Sequence, residues 1–234
     1  MSFNLALANY YRLSKLVTLL DAPGMGGNIS VKYDDSIMIK SSGQNMKVDH
    51  IVTTCDNNGQ TKYSYDFTDE CVIDAIKPSM EIGMHMNLKC KYVFHYHPAY
   101  VLPYLCSVGS DDQLITGHVI EYVSPGEELA QSVIGVDSEI IWLKNHGVVL
   151  QSDSIERIEE LYYIIKSEYF GTTYNDTAYT PDDVVDSNNL ELWLFRQYIE
   201  YTASKRFLQL KSLTDECKSK LLSDSNEKYR MSVK

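Results

Sequence analysis

Tyr92-Val93-Phe94-His95-Tyr96-His97-Pro98 is the stretch on which the reading of this chain turns. Its aromatic and β-branched residues favour extended backbone, and a run apolar on both faces reads as a strand buried inside a sheet. Pro98 has no amide hydrogen to give to a ladder, so a new element starts there. Two histidines one residue apart in a strand point to the same face, so His95 and His97 can present two imidazoles side by side.

Outward from that strand, the chain alternates helical and extended patterns. Leu5, Ala6, Ala8, Leu13, Leu16, Val17 and Leu20 recur mostly at helical spacing and predict a helix from Leu5 to Leu20, closed before Pro23. Gly24 to Asn28 is a glycine-rich loop feeding a hairpin, with strands Ile29 to Tyr33 and Ile37 to Ser41 around Asp34-Asp35. Asn57-Asn58-Gly59 marks a further hairpin. Ser79 to Cys90 has helical texture, and Glu139 to Leu150 reads as two short strands broken at the polar corner Lys144-Asn145-His146-Gly147. Asp153 with Glu156 forms a capping-box pattern ahead of a helix reaching about Phe170. Thr172 to Ser187 is a polar linker, and Asn188 to Leu210 predicts a last helix with Leu190, Trp193, Leu194 and Ile199 on its apolar side. One domain over residues 1–222 and a polar, frayed tail over 223–234 follow. Interspersed strands and helices around one core define an α/β or α+β class.

Composition narrows the function. With 32 acidic and 21 basic residues the 234-residue chain carries a net charge of −11, which disfavours a nucleic-acid binder needing a basic face. No run approaches the roughly 20 apolar residues of a membrane span, and the first 20 residues carry Asn4, Asn9, Arg12 and Lys15, unlike a signal peptide. The five cysteines lie far apart with no Cys-x-x-Cys pair, which fits a reducing, cytoplasmic compartment.

The six histidines stand at 50, 85, 95, 97, 118 and 146. A catalytic zinc site takes most of its tetrahedral shell from the protein and leaves one position open. His95 and His97 would need a third ligand, and His146 at its polar corner is hard to explain by packing. A bare His-x-His fits equally well on a solvated strand face or hydrogen-bonded in a core. Glu81 near a helix start suits the dipole without further duty, its spacing to His85 fits a helix-surface pair, and Gly24 to Asn28 fits an ordinary turn.

Taken in order, however, Gly27-Asn28-Ile29-Ser30, Ile39-Lys40-Ser41-Ser42-Gly43, Pro78-Ser79-Met80-Glu81 with His85, Val93 to Pro98, and Asn145-His146-Gly147 resemble the class II aldolase/adducin family. That family has the fold of zinc-dependent L-fuculose-phosphate and L-rhamnulose-phosphate aldolases. The resemblance implies a single three-layer αβα domain with a central, largely antiparallel sheet. It implies zinc held by His95, His97 and His146, with Glu81 as catalytic acid/base. It places a substrate phosphate on Gly27, Asn28, Ser42, Gly43 and Ser79, where backbone amides and small polar side chains suit an anion despite the acidic net charge. The implied reaction is aldol cleavage of a ketose phosphate or related sugar through a metal-stabilised enediolate, in a cytoplasmic homotetramer, with burial raising the Glu81 carboxyl towards the pKa a base needs.

Two residues depart from the family's pattern. Met80 stands where a second serine is common and has no hydrogen to donate to a phosphate. Lys40 replaces a small neutral residue; it fits either a point charge that makes up for lost donors or, the reading preferred here, a solvated side chain. Tyr198 and Tyr201 are candidate proton donors near the C-terminus. The same fold also hosts a sugar-phosphate epimerase with Asp at the Glu81 position, methylthioribulose-phosphate dehydratases, and the non-catalytic binding region of adducin, which lacks the metal histidines.

Overall fold

The computed structural model describes residues 1–46, 50–169, 196, 198–200, 202–203, 206 and 208–232. Strand β6 (Tyr92–Tyr96) is buried along its whole length, as its composition requires. Its neighbours are β1 (Asn28–Tyr33) on one side and β9 (Gly147–Ser152) on the other. Beyond β1 come β2 (Ser36–Lys40), β3 (Ile51–Asp56), β4 (Thr61–Asp66) and β5 (Cys71–Ile73). Beyond β9 come β8 (Ile140–Leu143) and β7 (His118–Ile120). Among the described residues these form one sheet, antiparallel at every pairing except β7 with β8.

Strand alternation divides the core. Phe94, Tyr96, Val148 and Leu150 point to one face with α1 (Phe3–Ser14) and α5 (Ile155–Tyr169), whereas Val93, Val149, Ile141 and Leu143 point to the other. On that second face pack Met84 and Leu88 around α2 (Ile82–Asn87), and Leu129 of α4 (Glu127–Ser132). Helices on both faces of a mixed, mostly antiparallel sheet make the three-layer α/β arrangement expected. His95 shares the parity of Val93, so its ring faces the α2 layer.

Several local expectations shift. The first helix ends at Ser14, well short of Leu20, and buries Ala6, Tyr10 and Leu13 while Leu5 is exposed. The cap of α5 comes from Ser154, whose Oγ accepts from the Arg157 amide at 3.2 Å; Asp153 instead accepts from the Lys91 amide. Pro98 leads into α3 (Leu102–Leu105). Chain polarity beyond Leu222 reads as a frayed tail, yet α6 (Asp215–Ser223) is followed by α7 (Ser225–Ser232), with Glu227 buried. The linker over 172–187, most of the helix expected over 188–210, and Tyr201 lie outside the described residues; Tyr198 and Ile199 are buried. Among the described residues no helix is long and apolar enough to cross a membrane.

Candidate active site

Three elements bring the histidines together. His95 leaves the sheet near the end of β6, and His97 follows just past it, its amide held by the Asp21 carbonyl at 2.8 Å. His146 sits in the β8–β9 corner, where Asn145 adopts a φ of +52° and donates from Nδ2 to the Lys211 carbonyl at 2.7 Å. Gly147 allows this corner to press against β6, because a Cβ there would stand 2.5 Å from the Tyr96 carbonyl oxygen and 2.8 Å from the His97 ring. The imidazole centroids are 4.7, 4.9 and 5.0 Å apart, and all three rings are buried.

Glu81 occupies the cap position of α2 with no capping bond from its side chain. Its Oε2 lies 3.5 Å from His95 Nε2 and its Oε1 3.3 Å from His146 Nε2. Antiparallel pairing sets Asn28 opposite His95, and Asn28 Nδ2 donates to Glu81 Oε2 at 2.6 Å and to Ser79 Oγ at 3.0 Å. The Asn28 amide is itself held by His85, whose Nε2 contacts Asn28 Oδ1 while Nδ1 lies 2.7 Å from Ser30 Oγ. His85 is therefore a buried member of the site scaffold and not a helix-surface partner of Glu81. Burial lowers its pKa to about 3, so it is a neutral ring.

The side-chain chemistry fits a divalent metal. His95 Nδ1 donates to the Val148 carbonyl at 3.0 Å, which leaves the Nε2 lone pair facing inward. Burial also holds His95 well below the usual imidazole range, in the neutral form that ligates metals. His95 Nε2 and His97 Nε2 stand 3.0 Å apart, and ligand atoms of His95, His97 and His146 all lie within 4.8 Å of one another. Buried Glu81 Oε1 has no donor aligned on it. Converging lone pairs and an orphaned carboxylate oxygen make a set of acceptors that a cation satisfies.

Burial alone pushes the Glu81 carboxyl up, but the imidazoles of His95, His146 and His97 outweigh it and hold the group well below the usual carboxylate range. This reverses the expectation of a raised Glu81: its environment favours the charged form.

Gly27, Asn28, Ser42, Gly43 and Ser79, expected to share an anion seat, do line one cleft with Glu81, His97 and His146. The turn at Ser42-Gly43 is stitched to the segment before Glu81 by Ser42 N to Lys77 O at 2.8 Å and Ser79 N to Lys40 O at 2.9 Å. A Cβ on Gly27 would approach the His95 carbonyl oxygen to 2.9 Å. Lys40 is not solvated: it is buried in the same cleft, with Nζ donating to the carbonyls of Met25 at 2.6 Å and Gln44 at 2.9 Å. Strand parity carries that signal, since Lys40 shares a face with buried Met38. Glu227 also lines the cleft, and nothing local in the sequence marks it.

The family described as Class II Aldolase and Adducin N-terminal domain matches residues 7–167, and the chain belongs to that family. Its fold is similar to that of the N-terminal class II aldolase domain of a conserved protein from Thermoplasma acidophilum, with a TM-score of 0.59 and 21% identity over 72% of this chain and 94% of that one. It is likewise similar to YgbL of Klebsiella pneumoniae, described as a putative aldolase/epimerase/decarboxylase, with a TM-score of 0.57 and 17% identity over 94% and 99% of the two chains. An L-fuculose 1-phosphate aldolase aligns with a TM-score of 0.51 and 18% identity over 98% of each chain. No curated protein matches this sequence.

Proposed function

We propose that the chain is a zinc-dependent aldehyde-lyase that cleaves a ketose phosphate or a related sugar. His95, His97 and His146 hold the metal in this reading and Glu81 is the catalytic acid/base. The observation that carries it is the placement of Glu81, with one oxygen orphaned and both oxygens within 3.5 Å of the imidazole nitrogens that face inward. Zinc bound there supplies Lewis acidity towards the carbonyl and hydroxyl oxygens of a ketose.

The protein supplies the rest. Asn28 holds Oε2 of Glu81, so Oε1 is the atom left to move a proton at the substrate carbon. Held as a carboxylate, Glu81 begins as a base that takes the proton of the hydroxyl destined to become the aldehyde, and returns that proton to the neighbouring carbon once the carbon–carbon bond has broken. Gly27, Asn28, Ser42, Gly43 and Ser79 seat the oxygen-rich far end of the sugar. The buried walls around His95 and Glu81 exclude water that would otherwise quench the carbanion-like carbon. The same reading takes the protein as a cytoplasmic homotetramer, which sedimentation would test.

The test is metal analysis of protein purified without chelator or histidine tag, followed by assays of aldehyde release from a panel of ketoses and ketose 1-phosphates. Stoichiometric zinc with carbon–carbon cleavage is the expected result. Loss of water from the sugar without cleavage would instead make the protein a dehydratase of the same fold, and protein that cannot be loaded with any metal would make it a binding protein.

A further inference from the structure

His95 and His146 are held by different means. His95 is paired on both sides, with Asn28 of β1 and Val149 of β9. His146 stands outside the ladder: Leu143 pairs with Gly147, and residues 144–146 form the loop between them. The direction of its ring therefore depends on the backbone of that loop, above all on Asn145, whose φ of +52° is left-handed. The Asn145 amide donates to the Leu105 carbonyl at 3.1 Å, and its Nδ2 to the Lys211 carbonyl at 2.7 Å. Both acceptors belong to one small piece of structure. Ser107 pairs with Leu210 as an isolated antiparallel bridge, the Lys211 amide donates to the Cys106 carbonyl at 2.5 Å, and the Val108 amide donates to the Gln209 carbonyl at 3.1 Å. Lys144 reaches the same piece, with Nζ 3.4 Å from the Ser107 carbonyl oxygen. Residues 209–211 lie outside the 7–167 that the family description matches, so part of the grip on the corner comes from beyond the matched domain.

Resting on the reading of His95, His97 and His146 as metal ligands, we propose that residues 209–211 are a strap that positions His146, with Asn145 as the positioning residue. A group that orients a ligand counts in metal affinity nearly as the ligand does, because the metal is held tightly only by lone pairs already directed at it. A left-handed residue other than glycine costs free energy that its surroundings must supply. Here the surroundings are two carbonyls, one before the bridge and one on the strap that closes it. Asparagine suits both demands: it tolerates left-handed backbone, and its amide brings a donor that an ionised aspartate lacks. Glycine would keep the backbone and lose the tether.

Chelator competition on the zinc-loaded full chain tests this. Asn145→Gly should weaken zinc binding by about 10- to 100-fold, and affinity equal to the wild type overturns the proposal. Lys211 is exposed, and Lys211→Pro removes the amide that closes the strap on Cys106 without touching the corner. It should weaken zinc binding in the same direction; unchanged affinity overturns the role of the strap, even where Asn145→Gly does not fold. In the double variant Lys211→Pro should cost nothing beyond Asn145→Gly, since both act through one tether, and losses that add overturn the proposal. A strap with a merely structural role would lower the denaturant midpoint and leave the zinc affinity of the folded protein unchanged, which also overturns it. Wild-type protein that takes up no zinc overturns the metal reading itself, whereas zinc bound alike by all the proteins overturns the positioning proposal alone.

Discussion

Two buried carboxylates flank the end of β6 and are treated in opposite ways. Asp21, 0% exposed, accepts from the Thr18 amide at 2.8 Å, the Thr18 hydroxyl at 2.5 Å, Tyr100 at 2.6 Å, Tyr162 at 2.8 Å and Lys166 at 3.3 Å. Glu81, 5% exposed, has Asn28 on one oxygen and no aligned donor on the other. A carboxylate saturated with donors has no capacity left for chemistry and acts as a strut; here its backbone carbonyl also fixes the amide of His97. A carboxylate left half-satisfied beside three imidazoles is held ready for a cation and a proton.

The contrast can be broken at its strongest point by removing a histidine. His95→Ala should reduce bound metal to less than about a tenth of the wild-type stoichiometry, since losing a ligand from a small shell costs most of the affinity. Metal retained at wild-type levels would take His95 out of the shell. Glu81→Gln should keep the metal, keep stability within about 1 kcal/mol because the amide retains an oxygen for Asn28, and slow solvent exchange at the substrate carbon by about 10²–10⁴-fold. Unchanged exchange would assign the proton transfer to another group.

Asp21→Ala inverts that pattern. It takes a buried acceptor from the hydroxyls of Tyr100 and Tyr162 and from the ammonium of Lys166, so denaturant unfolding should show a loss of about 3 kcal/mol. The protein that remains folded should still bind metal. If Asp21→Ala and Glu81→Gln destabilise equally, the distinction between strut and tool collapses.

The smallest effect is expected at the surface, where Glu139 is gripped by Arg157 through Nε at 3.0 Å and Nη2 at 2.6 Å. That side-chain bond holds the Glu139 carboxyl below its ordinary value. Its folded pKa being depressed, the stabilisation is present above the unfolded pKa and is lost as pH falls through the folded one. With nearly half of the Glu139 side chain exposed, screening limits the contribution to under about 1 kcal/mol. Glu139→Gln should lower stability by that amount at pH 7 and leave it nearly unchanged at pH 3; an equal loss at both would mean packing and not charge.

Much of this was legible in the chain because the signals are local. A continuous aromatic and β-branched run located β6, turn residues located the hairpins, and Asn145-His146-Gly147 stood out as a polar corner between apolar strands. Local signals failed where a side chain's partner is distant. His85 read as a surface residue because its partners, Asn28 and Ser30, are more than 50 positions away. Lys40 read as solvated because its acceptors, the carbonyls of Met25 and Gln44, carry no sequence signal, and the tail read as frayed because nothing in its own residues reveals that Asn226 and Tyr229 meet Lys77.

The amino-acid sequence by itself determined the order of elements, the class of the fold and the residue types able to hold a metal, since these depend on propensity, periodicity and spacing along the chain. Only the tertiary structure decided that three imidazoles face one carboxylate, that the surroundings of this carboxylate favour its charged form and that Glu227 lines the same cleft. Those facts depend on strand register, on the close approach permitted at Gly27 and Gly147, and on burial, and each is set by contacts between residues far apart in the chain.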